Sequence, residues 1–268
     1  MIRTGVILTW ETRDSKGLHV NVGSGVVLRT SGDVPFVLTA AHVARPFISN
    51  PCKLVLRASA GGGAVLDEGA FAWQHVDTGV DVAIVVPHRH GTLWPAMLEV
   101  SESLSIVEPS YERSHRDGDT YIVYGFPEDL MRIDIDEKEI GFTSFQWLCD
   151  QRNPPVKRPD DDILEFEWVK SGAQMMSADT GAALTHNAPD AARGMSGGPL
   201  WRHRDVVDPV TRMWTPQLAC RIVAVEHEYR AGTRDVFCEP SERWSDWLIR
   251  KAAALDRNQA LARDLASA

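Results

Sequence analysis

Short runs of apolar residues, alternating or continuous and bounded by Gly, Pro, Asp and Ser, recur along almost the whole chain. They predict strands over residues 6–10, 18–22, 25–28, 36–39, 53–57, 82–86, 120–124, 163–169, 198–201, 218–225 and 235–238. Many short strands separated by turn signals are the pattern of an all-β barrel or sandwich. The period changes after Ser241, a candidate N-cap. From there Trp244, Trp247, Leu248, Ala252 and Leu255 fall at helical spacing and predict a carboxy-terminal amphipathic helix over about 241–263. The stretch DQRNPPVKRPDDD, residues 150–162, joins proline to charge, which excludes a central strand and predicts an exposed loop. No repeat and no linker divides the chain, so residues 1–268 read as a single domain.

Composition narrows the function. Of 268 residues 44% are hydrophobic, enough for one large or two small cores. The 37 acidic residues outnumber the 28 Lys and Arg, giving a formal net charge of −9 that argues against a nucleic-acid binder. The first residues, MIRTGVILTWETRDSKG, meet charge by Glu11 and carry no small-residue cleavage site, and no apolar run is long enough to span a bilayer. A cytoplasmic location without membrane attachment is the expectation. Cys52, Cys149, Cys220 and Cys238 stand far apart without a C-x-x-C pair and read as buried thiols in a reducing compartment. His88 and His90 fall in a loop as solvated residues, so neither metal nor cofactor is expected.

Three stretches bring chemistry. GMSGGPL, residues 194–200, reads either as a plain glycine turn or as a bend that holds Ser196 outward while nearby N–H groups converge on one point. LTAAHV closes a two-strand unit on His42, and DVAIV leads from Asp81 into an apolar strand. Each is weak alone. Together they fall in the order His42, Asp81, Ser196, which is one of the chain orders in which a serine triad occurs.

At these positions the chain resembles the chymotrypsin-fold (PA-clan) serine peptidases, nearer to the bacterial stress-protease and glutamyl-endopeptidase branches than to digestive enzymes. GSGVVL, LTAAHV, DVAIV, GFP at 125–127 and RGMSGGPL carry the resemblance. With the final strands and helix it spans most of residues 5–255. It implies two six-stranded antiparallel β-barrels, over about 5–105 and 118–240, with the active site in the cleft between them. It also implies a serine endopeptidase with a polypeptide substrate and an acyl-enzyme intermediate. His42 would be the base, Asp81 its orienting partner and Ser196 the nucleophile, with an oxyanion hole from the N–H groups of Gly194 and Ser196.

In trypsin an acid six positions before the nucleophile binds a substrate Arg or Lys; here that position is Asp190, which could instead pair with Arg193 or Arg234. Strand alignment puts Glu226, His227 and Asp235 near the walls of the same pocket. Met195 stands where zymogen-activated relatives carry Asp, so activation by amino-terminal cleavage is not expected, and a regulatory protein partner is a candidate trigger. Fold does not guarantee activity, so a catalytically idle or partner-triggered peptide-binding module is the alternative, and an esterase or viral-type processing enzyme a third reading.

Overall fold

Residues 35–39 show how the strands arise: PFVLT is buried at every position, rich in β-branched and aromatic side chains, and lies between two other strands. In a computed structural model of the chain, the described residues are all except 1–3, 15–16, 49–51, 58–62, 67–70, 76–78, 88, 90–92, 131, 135–138, 142–143, 149–153, 169–172, 177–182, 185–188, 190 and 268.

The first sheet contains β1 (Gly5–Asp14), β2 (Gly17–Arg29), β3 (Pro35–Thr39), β4 (Cys52–Arg57), β5 (Gly63–Leu66), β6 (Phe71–His75), β7 (Ala83–Pro87) and β8 (Glu102–Ser103). Its hydrogen-bonded order is β5-β4-β1-β2-β3-β7-β6, antiparallel throughout, with β8 added parallel to β2.

The second sheet contains β9 (Thr120–Gly125), β12 (Phe145–Leu148), β13 (Val156–Lys157), β14 (Leu164–Glu167), β15 (Ala173–Met176), β16 (Ala183–Leu184), β17 (Pro199–His203), β18 (Cys220–Arg230) and β19 (Asp235–Pro240). The order is β13-β14-β19-β18-β17-β9-β12-β15-β16, and β10 (Arg132–Asp134) pairs with β11 (Glu139–Gly141) as a separate hairpin.

The chain is mostly β with two sheets and a carboxy-terminal helix. The expectation of two six-stranded barrels needs correction. Among the described residues the sheets hold eight and nine strands, and neither strand path closes on itself. Two of the extra strands are short edge pieces, Gly63–Leu66 among glycines and Val156–Lys157 among prolines and charges, where turn signals hide the pairing. The strands expected over 18–22 and 25–28 are one, because Gly23 and Ser24 keep pairing with Leu8 and Ile7 instead of turning.

Five helices are described: α1 (Ala41–Ala44), α2 (Leu93–Val100), α3 (Tyr111–Ser114), α4 (Pro216–Ala219) and α5 (Ser245–Ser267). None is long and apolar enough to cross a membrane. One buried cluster joins the sheets and α5: Leu28, Phe36 and Ile84 from the first sheet meet Tyr124, Trp201 and Val225 from the second, with Trp244 and Leu248 covering them. Trp244 is fully buried, and its indole N–H donates to the Glu239 carbonyl at 2.9 Å, so the helix entry is fixed by both area and a hydrogen bond.

Candidate active site

The turn α1 has no side-chain cap of its own, since Ala40 precedes it in extended conformation. Asp81 supplies what is missing. Its carbonyl accepts the Ala41 N–H at 3.2 Å, and its Oδ1 accepts the His42 N–H at 2.9 Å, satisfying two amides of the first turn. The other carboxylate oxygen, Oδ2, lies 2.5 Å from His42 Nδ1. The small side chains of Ala40 and Ala41 let the turn sink into the core with Val43, leaving the imidazole half-exposed. Burial pushes the Asp81 carboxyl up, but the hydrogen bond and charge of His42 outweigh it and hold the acid below its ordinary range.

Ser196 sits in the second of two turns that share Met195, closed by Met195 N–H to the Ala192 carbonyl at 3.1 Å and Gly198 N–H to the Met195 carbonyl at 2.7 Å. The backbone is left-handed on both sides, with φ of +84° at Gly194 and +90° at Gly197. Glycine is required at both for space as well. A Cβ on Gly194 would come within 2.7 Å of the Phe126 carbonyl oxygen, and one on Gly197 would strike the Ser24 carbonyl and the Thr39 hydroxyl. That close approach brings the turn against the end of β3, immediately before α1. Met195 is fully buried in the core of the second sheet. Among the described residues the N–H groups of Gly194 and Ser196 donate to nothing, so both are available to a further acceptor.

Ser24 ties this turn to the first sheet. Its N–H donates to the Ser196 carbonyl at 2.8 Å and its hydroxyl to the Gly194 carbonyl at 2.7 Å, while the hydroxyl oxygen accepts the Phe126 N–H at 2.9 Å. On the other side the Gly197 N–H donates to the Glu226 carbonyl at 2.7 Å, and the Glu226 N–H to Gly198 at 2.9 Å. The Glu226 side chain is fully buried here. Burial pushes its carboxyl up to about 8; Ser196, the polar side chain facing it, pulls it down, and Asp81 and Glu228 push it further up. Neither carboxyl oxygen completes a hydrogen bond of ordinary geometry. None joins Ser196 to His42 either.

The family model of the trypsin-like peptidase domain matches residues 23–207, which include Ser24, His42, Asp81, Gly194 and Ser196. The chain belongs to that family. The fold of this trypsin-like peptidase is also similar to that of two solved proteases. The Rv3671c protease of M. tuberculosis, in its active form, has a TM-score of 0.44 and 17% identity over 92% of this chain and 80% of that one. The tobacco vein mottling virus protease has a TM-score of 0.43 and 10% identity over 90% and 77%. No curated protein sequence matches the chain.

The remaining expected residues of this peptidase fall in different places. His227 follows Glu226 and feels both Asp81 and His42; burial lowers its pKa, Asp81 raises it, and its Nε2 is buried without a partner. Asp235 is not brought to Ser196. It pairs with Arg230 at the far end of the β18–β19 hairpin, roughly 10 Å along the strand from Cys238, the residue opposite Glu226. Asp190 lies outside the described residues. Ser24 and Glu239 were not foreseen as site residues. The signal for Glu239 was there to read: an acid closing the apolar strand DVFCEP, four positions before Arg243.

Proposed function

We propose that this peptidase is a serine endopeptidase in which His42 takes the Ser196 proton, Asp81 orients and stabilises the imidazolium, and the Gly194 and Ser196 N–H groups hold the tetrahedral oxyanion. The hydroxyl oxygen would bond to the scissile carbonyl carbon, and the proton would pass through His42 to the leaving amine, leaving an acyl-enzyme for water to hydrolyse. The observation that carries this reading is the His42–Asp81 pair, Nδ1 to Oδ2 at 2.5 Å, beside a glycine turn with two unengaged N–H donors. Beyond Val225, among the described residues, β18 pairs only with β19, which supports docking of an extended peptide along the opposite edge at His227–Glu228. The Glu226 carboxyl is buried beside Ser196, which supports a preference for Arg or Lys before the scissile bond whether or not Asp190 contributes.

One observation favours a triggered form of the same chemistry. No hydrogen bond joins the Ser196 hydroxyl to His42, so substrate or a partner protein would have to bring the two together. The test is a fluorophosphonate probe on the whole chain. Wild type is expected to be labelled at Ser196, and Ser196→Ala to lose both labelling and hydrolysis of arginyl peptides. A Ser196→Ala protein that cleaves at the wild-type rate overturns the assignment, and labelling that appears only with peptide present supports the triggered form.

A further inference from the structure

The residue that orients His42 is itself poorly anchored by its own element. Asp81 precedes β7, outside the strand ladder, and the segment from Gly79 to Asp81 is irregular, with Gly79 at φ +71°. Nothing in the first sheet fixes the Asp81 amide. The anchor comes from the second sheet. Glu239, near the end of β19 and 2% exposed, accepts the Asp81 N–H on Oε1 at 3.1 Å. Its Oε2 lies 2.8 Å from Nη1 of Arg243, one turn further along the chain. Arg243 then reaches back, donating from Nη2 to the Gly79 carbonyl and from Nη1 to the Asp161 carbonyl, each at 3.3 Å. Carboxylate and guanidinium therefore hold the two ends of the three-residue segment that carries Asp81. Burial and the neighbouring Asp81 and Asp161 carboxylates push the Glu239 carboxyl up, and the Asp81 amide and Arg243 guanidinium offset part of that rise.

We propose that Glu239, tethered by Arg243, is a positioning residue for the Asp81–His42 pair: the sheet that carries Ser196 reaches across to set the acid of the opposite sheet. This rests on the triad reading above for its effect on hydrolysis, but not for its effect on geometry. Glu239 touches neither substrate nor His42; it acts through the Asp81 backbone. Both Glu239 and Arg243 lie beyond the residues matched by the family model.

Two measurements on the full chain test it: steady-state hydrolysis of an arginyl peptide, and the downfield proton resonance of the hydrogen shared by His42 Nδ1 and Asp81, assigned by its loss in His42→Ala. Glu239→Met keeps the side-chain length and removes the acceptor. It is expected to lower kcat on the order of 10- to 100-fold, as for misplacement of a reacting group by a fraction of an ångström to 1 Å, with KM little changed, and to shift or broaden the resonance. Glu239→Gln keeps an oxygen for the Asp81 amide and should restore most of kcat and the resonance. A folded Glu239→Met protein with wild-type kcat and an unmoved resonance overturns the inference. If Glu239→Met does not fold, Arg243→Met, which frees the carboxylate from its tether, must move the resonance, and an unmoved signal there is equally decisive. The resonance reads the His42–Asp81 pair whether or not the protein hydrolyses peptides. A wild type that shows it but is neither labelled nor active counts against the proposed function and leaves this test intact.

Discussion

At Gly194 a single methyl group is enough to disturb the site. The residue holds φ +84° with the Phe126 carbonyl where a Cβ would go, so Gly194→Ala must move the backbone and with it the unengaged N–H. If that N–H helps to hold an oxyanion, kcat should fall by about 10²–10³, as for loss of one such donor, with a smaller change in KM. A folded Gly194→Ala protein of unchanged kcat would remove Gly194 from the reaction. Glu226 makes a different prediction, about pH. Its carboxyl, pushed up to about 8 by burial, holds its proton in the free protein at neutral pH. A substrate Arg or Lys must displace that proton to form an ion pair, so kcat/KM for those substrates should climb with pH until about 8. The ratio of kcat/KM for these substrates to that for substrates with a neutral residue before the scissile bond cancels what both share through His42, so that ratio should rise until about pH 8, and Glu226→Gln should flatten it. Identical profiles for the two substrate classes would show that Glu226 meets no cation. His42, Asp81 and Ser196 were legible because each sits in a locally distinctive stretch. Glu239 stood out only as an acid closing an apolar strand; its role was not legible, because its partner amide lies 158 positions away and only the fold brings them together.

At the scale of elements, the strands nearest the site were legible where a buried apolar run met turn residues on both sides, as at Pro35–Thr39 and Ala83–Pro87. The helix at Leu93–Val100 was not foreseen: Pro95 reads as a breaker, but it falls in the first turn, where the missing N–H costs nothing. The carboxy-terminal helix was legible from the spacing of its tryptophans and leucines, yet its attachment to the β2–β3 turn was not. Asp256 accepts hydrogen bonds from the Thr30 hydroxyl, from the Ser31 hydroxyl at 3.0 Å and from the Gly32 N–H at 3.3 Å. Three donors converge on one partly exposed carboxylate. Asp256→Ala should therefore cost about 1–2 kcal/mol and lower the melting temperature by a few degrees, with kcat/KM unchanged because none of these groups approaches Ser196. A loss of activity without a loss of stability would mean that α5 reaches the site in some way the contacts do not convey.

At the scale of the molecule, the two sheets meet along a line of unlike interactions: an apolar cluster at the centre, Ser24 bonded to the turn that carries Ser196, and Glu239 bonded to Asp81. Stability and function thus share buried ionisable groups, and stability must depend on pH in a way that can be worked out. Burial raises Glu226 from 4.5 to about 8, so the folded protein keeps a proton that the unfolded chain gives up above 4.5. The stabilisation tied to that proton is complete below 4.5, declines as pH rises between the two values and is gone above about 8. Glu239, also raised by burial, works in the same direction. Asp81, held low by His42, has the opposite sign, but its contribution is lost only in the acid range. His227, lowered by burial, also has the opposite sign and is neutral in both states well above 6.5. Between pH 7 and 8 the acids pushed up by burial therefore dominate, and melting temperature should fall across that window. Glu226→Gln places a permanently neutral group of the same shape at the site and should flatten the fall. Its advantage over wild type should be small near pH 5, grow to about pH 8 and level off above it. Parallel curves for the two proteins would mean that Glu226 is ionised in the folded chain at neutral pH, and that a cation already sits beside it.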